Sequence, residues 1–497
     1  MKKKHIAKAV SLLLILFLCV MYLSEILEMK WRYPCYESIV PGQFYDLEEN
    51  SVEVCVVGSS QVVYGVSSME LYGEYGISAF SCGTALQPVQ ASYTWLQEMD
   101  KTQDIKLLIY DVSMLFERSD EARYRQAFDN MKISPLKLKQ IWNHCQESET
   151  ADPFISYLFS IIKYHNRWSE IDENDFLITD QEHPVYRGNF AYALSAPVSL
   201  KKVAIDNDEL EPELEMYDYQ LKYFEEMLAY CEQEGIEVLL IKTPKLSWSL
   251  SRHLMVEEYA KEHDLTFIEF SNQEMIETLG LDGEKDFRDG DHLNLLGAQK
   301  LSKWLGAYIN ENYELTDFRK VSGYDDMGYA RYLQRLEDSN IQLADNVVDY
   351  FEHLGNSRYE AVIQVTANPS EFYTEELAVL MKATGLTTDL NTLEGQSYSA
   401  WLKAGKAEYE EASYEVPEYT NRFADGIGFR TFSNYDSGAI CRMRVNYENQ
   451  IFSQRGLNIL VYDTENHEII DKCSIYYDTE AETIKLAHDN EQYNTRL

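Results

Sequence analysis

Between residues 52 and 312, short and almost wholly apolar runs alternate with longer amphipathic stretches, and this alternation constrains the fold more than any other feature of the chain. A run with no polar alternation is buried on both faces, which is the condition of a strand inside a parallel sheet covered by helices. Five such runs stand at 52–58 (VEVCVVG), 77–81, 105–110 (IKLLIY), 236–241 (IEVLLI) and 265–270. Helix-compatible sequence separates them at 88–99, in the long pattern that Gly235 ends, and at 254–263. A last helix is expected at 293–312, where Leu293, Leu296, Leu301, Trp304, Leu305 and Tyr308 recur at helical spacing. The expected fold class is therefore α/β, a doubly wound and mostly parallel five-stranded sheet.

Residues 114–200 break this alternation with charged, aromatic and helical sequence. An insertion after the carboxyl end of a strand lies where open α/β sheets bind ligands, so it reads as a lid or substrate subdomain. His165, Arg167 and Trp168 are its candidate substrate contacts, with Trp168 placed to stack on a sugar; a packed helical surface is the alternative.

The chain begins with Lys2, Lys3, Lys4, His5 and Lys8 and continues into an apolar run at 9–23 that extends through Ile26 and Leu27. This is the pattern of a membrane-targeting segment, either a cleaved signal peptide or a signal anchor. No small-x-small cleavage site follows it, and Met29, Lys30, Trp31, Arg32 and Tyr33 read as an interface belt, so an uncleaved anchor over 9–27 is expected. The basic tail at 1–8 then stays in the cytoplasm, and the rest lies outside a plasma membrane crossed once.

Charge narrows the partners. The sum 44 − 83 = −39 repels phosphate backbones, which excludes nucleic acid. The 37 tyrosines suit carbohydrate or protein contacts, or equally packing between strands. None of the eight cysteines has zinc-site spacing, and Cys441 and Cys473 are the pair placed to join in an oxidising compartment. Cys55 and Cys82 read as small buried hydrophobes. The acidic residues Asp282, Glu284, Asp286, Asp289 and Asp291 lack the spacing of a calcium loop, so neither a metal nor a cofactor is expected. His144, His183, His253 and His353 carry no pattern of chemistry.

After Tyr313 a polar stretch at 316–334 reads as a linker, and 335–497 as a second, α+β and sheet-rich domain. Its strands are expected at 359–366 (YEAVIQVT), 426–432, 440–447, 456–462 and 469–477, with a hairpin turn at 463–466 and a helix capped by Thr374 and ended by Gly385.

Chemistry is expected where the first strand ends in Gly58-Ser59-Ser60-Gln61 and where Asp289-Gly290-Asp291-His292 precedes the last helix. A serine at the carboxyl end of a central strand is exposed in the crevice, and it needs a base whose tautomer a third group holds. Asp289 and His292, three apart, supply such a pair. Together these two motifs resemble the SGNH (GDSL-like) hydrolase superfamily over about 50–312. The resemblance implies Ser60 as nucleophile, His292 as general base and Asp289 as its orienting carboxylate. It also implies an oxyanion hole made by the Ser60 amide with that of Gly83, in Phe80-Ser81-Cys82-Gly83. Two departures stand out. The family's GDS is Gly58-Ser59-Ser60 here, and Tyr110-Asp111-Val112-Ser113 replaces the block with an oxyanion asparagine, a donor worth about 2.7–4 kcal/mol where an enzyme relies on it. Asp111 is instead a candidate substrate contact.

These departures are similar to the envelope branches that transfer D-alanine to lipoteichoic acid or acetylate alginate. The resemblance implies an anchored serine O-acyltransferase or esterase acting on acyl groups, acetyl first among them, of a cell-surface polysaccharide; an anchored extracytoplasmic domain would suit a membrane-bound acyl exporter as partner. The alternative is a degenerate SGNH fold that holds the polymer for a partner enzyme. Residues 335–485, with Ser397-Tyr398-Ser399-Ala400-Trp401 and Arg455-Gly456-Leu457-Asn458, resemble the interleukin-like EMT inducer (PANDER-like) domain, which implies protein or carbohydrate recognition.

Overall fold

Each of the five apolar runs becomes a strand of one sheet: β1 (Val54–Ser59), β2 (Ala79–Thr84), β3 (Leu107–Asp111), β4 (Glu237–Lys242) and β5 (Thr266–Glu269). The computed structural model describes residues 2–30, 39–172, 175–176, 185–193, 195–208, 210–211, 214–324, 326, 328–366, 371–393, 396–413, 418–432, 442–452 and 456–488. The sheet is parallel throughout, in the order β2-β1-β3-β4-β5. β1 and β3 are buried along their whole length, as strands covered on both faces must be. Because the chain moves from β1 to β2 on one side and then to β3 on the other, the strand order reverses at β1. The crevice beyond the carboxyl ends of β1 and β3 is the place where such sheets bind ligands.

The helix Val89–Met99 packs on β1 and on the helix Asp218–Glu234, which Gly235 ends in the left-handed conformation. The last helix, Leu295–Asn312, lies against Ser68–Tyr75, close enough at Gly306 that a Cβ there would stand 2.6 Å from the Tyr75 ring. The 114–200 stretch holds the helices Glu121–Phe128, Pro135–Glu147, Phe154–Leu158 and Ile161–Tyr164, and a 3-10 turn at His165–Ser169. It also holds a hairpin absent from the sequence reading, Val185–Tyr186 against Asn189–Phe190. Its turn residue Gly188 comes so close to β2 that a Cβ would overlap the Ser81 carbonyl, while Ser81 N–H donates to the Arg187 carbonyl at 2.9 Å.

One helix among the described residues, His5–Leu27, is long and apolar enough to cross a membrane. Its side chains are exposed up to Leu23 except the half-buried Val20 and Met21, whereas Ser24, Ile26 and Leu27 are buried against the rest of the unit.

The chain divides into two units, 1–333 and 334–497. The stretch expected as a linker is not a free tether: its first part packs on the α/β unit. Thr316 bonds the buried carboxylate of Glu53, Tyr324 meets Ser78 at 2.7 Å, and the fully buried Tyr332 donates to Glu70 at 2.9 Å. Aromatic rings with a polar tip satisfy such half-buried positions, which composition alone reads as loop.

The described residues of the second unit form two antiparallel sheets. One has six strands: β6 (Tyr359–Thr366), β7 (Ser397–Lys403), β8 (Lys406–Ser413), β13 (Gly456–Asp463), β14 (Glu468–Asp478) and β15 (Thr483–His488), in the order β8-β7-β6-β13-β14-β15. The other has four in sequence order: β9 (Glu418–Arg422), β10 (Gly428–Phe432), β11 (Arg442–Val445) and β12 (Glu448–Ile451). Thr374 caps the helix Glu375–Ala383, and Asp463 closes the β13–β14 turn by accepting from the N–H groups of Glu465 and Asn466. Cys473 is a free, fully buried thiol on β14, so the pairing with Cys441 that the sequence suggested is not formed; Cys441 itself, the interface belt at 31–33, Arg455 and His183 lie outside the described residues.

Candidate active site

β1 delivers two serines to the crevice and gives them different work. Ser59 ends the strand and caps the helix Ser60–Gly65, its hydroxyl accepting from Gln61 N–H at 3.4 Å. Ser60 is the first helical residue, and its Oγ lies 2.7 Å from His292 Nε2. The strand ends come together here because both are glycine. A Cβ on Gly83 would stand 2.5 Å from the Ser59 carbonyl oxygen, and one on Gly58 3.2 Å from the Asp111 Cβ. Gly58 and Gly83 face each other in the β1–β2 register.

His292 comes from a two-residue hairpin, Phe287–Asp289 against His292–Leu293, in which Asp289 and His292 are the pair flanking the turn. His292 Nδ1 lies 2.8 Å from Asp289 Oδ1 and 3.1 Å from Oδ2. With Nδ1–H donated to the carboxylate, Nε2 is left to accept from the Ser60 hydroxyl. Burial pushes the Asp289 carboxyl up, but the hydrogen bond and charge of His292, the Asp291 N–H and the nearby Arg288 outweigh it and hold the group below the ordinary carboxylate range. Asn294 then caps the last helix, accepting from Leu296 and Gly297 N–H.

Several residues that brace this site carry no motif. Gln61 donates to the Asp291 carbonyl at 2.7 Å and accepts from Thr243 Oγ1 at 2.7 Å and from Lys242 Nζ at 3.2 Å. Tyr64, one helical turn after Ser60, puts its ring 5.1 Å from the imidazole, and the Arg288 guanidinium lies 4.5 Å over the same ring. The only available signal for Tyr64 was its i+4 spacing from Ser60.

The remaining candidates are placed elsewhere. Asp111 is fully buried at the end of β3 rather than open to substrate. Oδ1 accepts from Ser113 N–H and its hydroxyl, Oδ2 from Thr243 N–H at 3.1 Å and hydroxyl at 3.2 Å, and the equally buried Lys242 stands 3.6 Å away. A carboxylate so saturated has no lone pair left for a ligand. Arg167 does not line a groove either. Its guanidinium donates at 2.8 Å to the carbonyls of Leu27 and Glu28 at the end of the N-terminal helix, and it pairs with Asp175. His165 bonds the Ile162 carbonyl, and Trp168 is 70% exposed. The structure brings Ser60, His292 and Asp289 together and leaves His165, Arg167 and Trp168 with the N-terminal helix.

Among the described residues no three His, Cys, Asp or Glu side chains converge as a metal ligand set would. Neither a family model nor a curated protein matches the chain.

Proposed function

We propose that the chain is a membrane-anchored SGNH-type serine O-acyltransferase or esterase that acts outside the cytoplasm on acyl groups, most plausibly acetyl, of a cell-surface polysaccharide. The observation that carries the reading is the continuous line Ser60 Oγ, His292 and Asp289, with contacts of 2.7 and 2.8 Å, at the strand-order reversal of a parallel sheet. In this reading Ser60 Oγ attacks the acyl carbonyl while His292 Nε2 takes its proton, and Asp289 steadies the imidazolium that forms. The N–H groups of Ser60 and Gly83 hold the developing oxyanion. The tetrahedral species collapses to acyl-Ser60, and the leaving alcohol takes the proton from His292. A sugar hydroxyl or water, deprotonated by His292, then attacks the acyl-enzyme and restores Ser60. The N-terminal helix serves as the uncleaved anchor, the second unit as an interleukin-like EMT inducer-type recognition domain for the glycopolymer, and a membrane-bound acyl exporter as the donor's source.

One observation favours the second reading, a polymer-holding protein that assists a partner acyltransferase. The third family block has Asp111, whose buried carboxylate is consumed by Ser113, Thr243 and Lys242, in place of an amide donor. The two readings separate by experiment. Full-length protein in lipid nanodiscs is given p-nitrophenyl acetate and examined by mass spectrometry for an acyl-Ser60 adduct. The enzyme reading expects turnover that Ser60→Ala abolishes and that Asp289→Asn lowers by about 10⁴-fold through the wrong imidazole tautomer. With no adduct on Ser60 from any activated ester, the polymer-holding reading takes its place.

A further inference from the structure

Insertion residues that the sequence assigned to a substrate groove instead gather at the end of the N-terminal helix. Arg167 caps that helix through two carbonyls, and the Ile161 N–H reaches Ser24 Oγ at 3.5 Å. Phe159 sets its ring edge-on to Phe17 at 6.3 Å. The outward-facing stretch of the helix runs from Ile6 to Leu23, with Lys8 its one charge and Val20 and Met21 half-buried, about 18 residues or roughly 27 Å, which is close to the thickness of a bilayer's hydrocarbon core. Phe17 therefore lies about 9 Å inside the boundary that Leu23 marks. Phe159, touching it, sits at the depth reached by helices that lie in the membrane interface. The same stretch of insertion leaves large apolar side chains in solvent: Ile155 (46% exposed), Ile162 (47%), Trp168 (70%) and Phe176 (62%).

We infer that Ile155, Phe159, Ile162, Trp168 and Phe176 form a lipid-facing seat, by which the α/β unit rests its aromatic and aliphatic side chains in the bilayer interface beside its own anchor. The occupant is the interface of a zwitterionic bilayer rather than an anionic headgroup. The basic side chains of the segment are already engaged, Lys163 by Asp152 and Arg167 by Asp175 and the helix carbonyls, and the chain as a whole carries a charge of −39. Apolar burial drives the contact, and an interfacial tryptophan with its N–H toward water is suited to it. A seat of this kind holds the catalytic crevice at a fixed height over the membrane instead of letting the unit swing on a tether.

The inference rests on the helix being a membrane span, and the test separates the two. Full-length protein and its Trp168→Phe variant are reconstituted in phosphatidylcholine liposomes, with and without acyl chains brominated near the headgroup or near the bilayer centre. Flotation with the liposomes after carbonate washing is the check on the anchor. The difference between the two proteins isolates the emission of Trp168. The expected result is a blue-shifted Trp168 component, quenched more by the shallow bromines than by the deep ones and unchanged on adding anionic lipid. Protein that floats but whose Trp168 component emits as in water, unquenched by either lipid, overturns the seat while leaving the anchor. Protein that does not float overturns both.

Discussion

Asp111→Asn puts an amide donor at the end of the third strand, and the structure argues that it does harm. Oδ2 of Asp111 accepts from both the N–H and the hydroxyl of Thr243 and faces Lys242, which is buried completely. An amide nitrogen in that position sets donor against donor and leaves the ammonium without its counter-charge. Burial already pushes Lys242 down from the ordinary lysine value, and the Asp111 charge opposes that shift. Once the charge is gone, the cheapest escape is for Lys242 to fold as the neutral amine. At pH 7 that costs 1.36 kcal/mol for each unit below the unfolded pKa of about 10.4, or about 4.6 kcal/mol. This agrees with the roughly 3–5 kcal/mol seen when one partner of a buried pair is removed. The sign of the pH dependence follows: the unfolded variant binds one proton more than the folded one, so its stability rises by about 1.4 kcal/mol per pH unit until Lys242 titrates in the unfolded chain. Urea unfolding of the full chain in nanodiscs measures this, and Trp248, whose ring lies 5.3 Å from Lys242 Nζ, is the fluorescent reporter. The deficit of Asp111→Asn against the parent should shrink from about 4–5 kcal/mol at pH 7 to about 2 at pH 9. Adding Lys242→Met should recover most of it at every pH. A deficit under about 1 kcal/mol at pH 7, or one that pH leaves unchanged, refutes the argument.

Gly83→Ala should shift the end of β2 or β1, because the new Cβ would lie 2.5 Å from the Ser59 carbonyl. We expect a loss of about 1–3 kcal/mol in urea unfolding and, if the proposed esterase activity holds, a fall in ester turnover; an unchanged stability would contradict the close approach. In the second unit, both ring nitrogens of His488 face acceptors, Asp471 at 3.0 Å and the Ala344 carbonyl at 2.7 Å, while Tyr350 donates to the same carboxylate. Burial lowers the affinity of His488 for its second proton, but the Asp471 charge and these bonds outweigh it and hold the pKa above the ordinary value. Its stabilisation is therefore complete below about pH 6.5 and is lost as pH rises through the folded value. Hydrogen-exchange protection of β15 should fall across that window, and His488→Gln should flatten the fall.

The cores of all five parallel strands were legible because each is apolar on both faces, but their carboxyl ends were not. Hydropathy stops the third run at Tyr110 and the fourth at Ile241. The strands run on to Asp111 and Lys242, whose charges are tolerable there only because they meet across adjacent strands. Pairing of that kind is invisible along the chain. The same limit hid the role of Arg167, whose partners are backbone carbonyls about 140 residues away, and the hairpin turn at Arg187 and Gly188, where both residues take positive φ. That Ser60, Asp289 and His292 meet was readable because each stands in a motif at a strand or helix end, whereas Gln61 stands in no motif and Tyr64 offered only its i+4 spacing from Ser60.

The separation of Ser60 from His292 along the chain gives these supporting residues their importance. Ser60 and His292 are more than 230 residues apart and arrive on unrelated elements, a strand-to-helix junction and a two-residue hairpin. Gln61 closes that gap, since its amide donates to the Asp291 carbonyl in the hairpin turn while its carbonyl is held by Thr243 and Lys242 at the end of β4. The hairpin is held from its far side too, through Leu246 N–H to the Gly290 carbonyl and Ser247 to the Asp291 carboxylate. The contact between Ser60 and His292 is thus flanked on both sides by hydrogen bonds, part-buried at Gln61 and exposed at Ser247. Two surface side chains meeting by chance would need no such bracing, and on the Gln61 side the brace rests on the buried pair of Asp111 and Lys242, reached through Thr243 and through Lys242 itself.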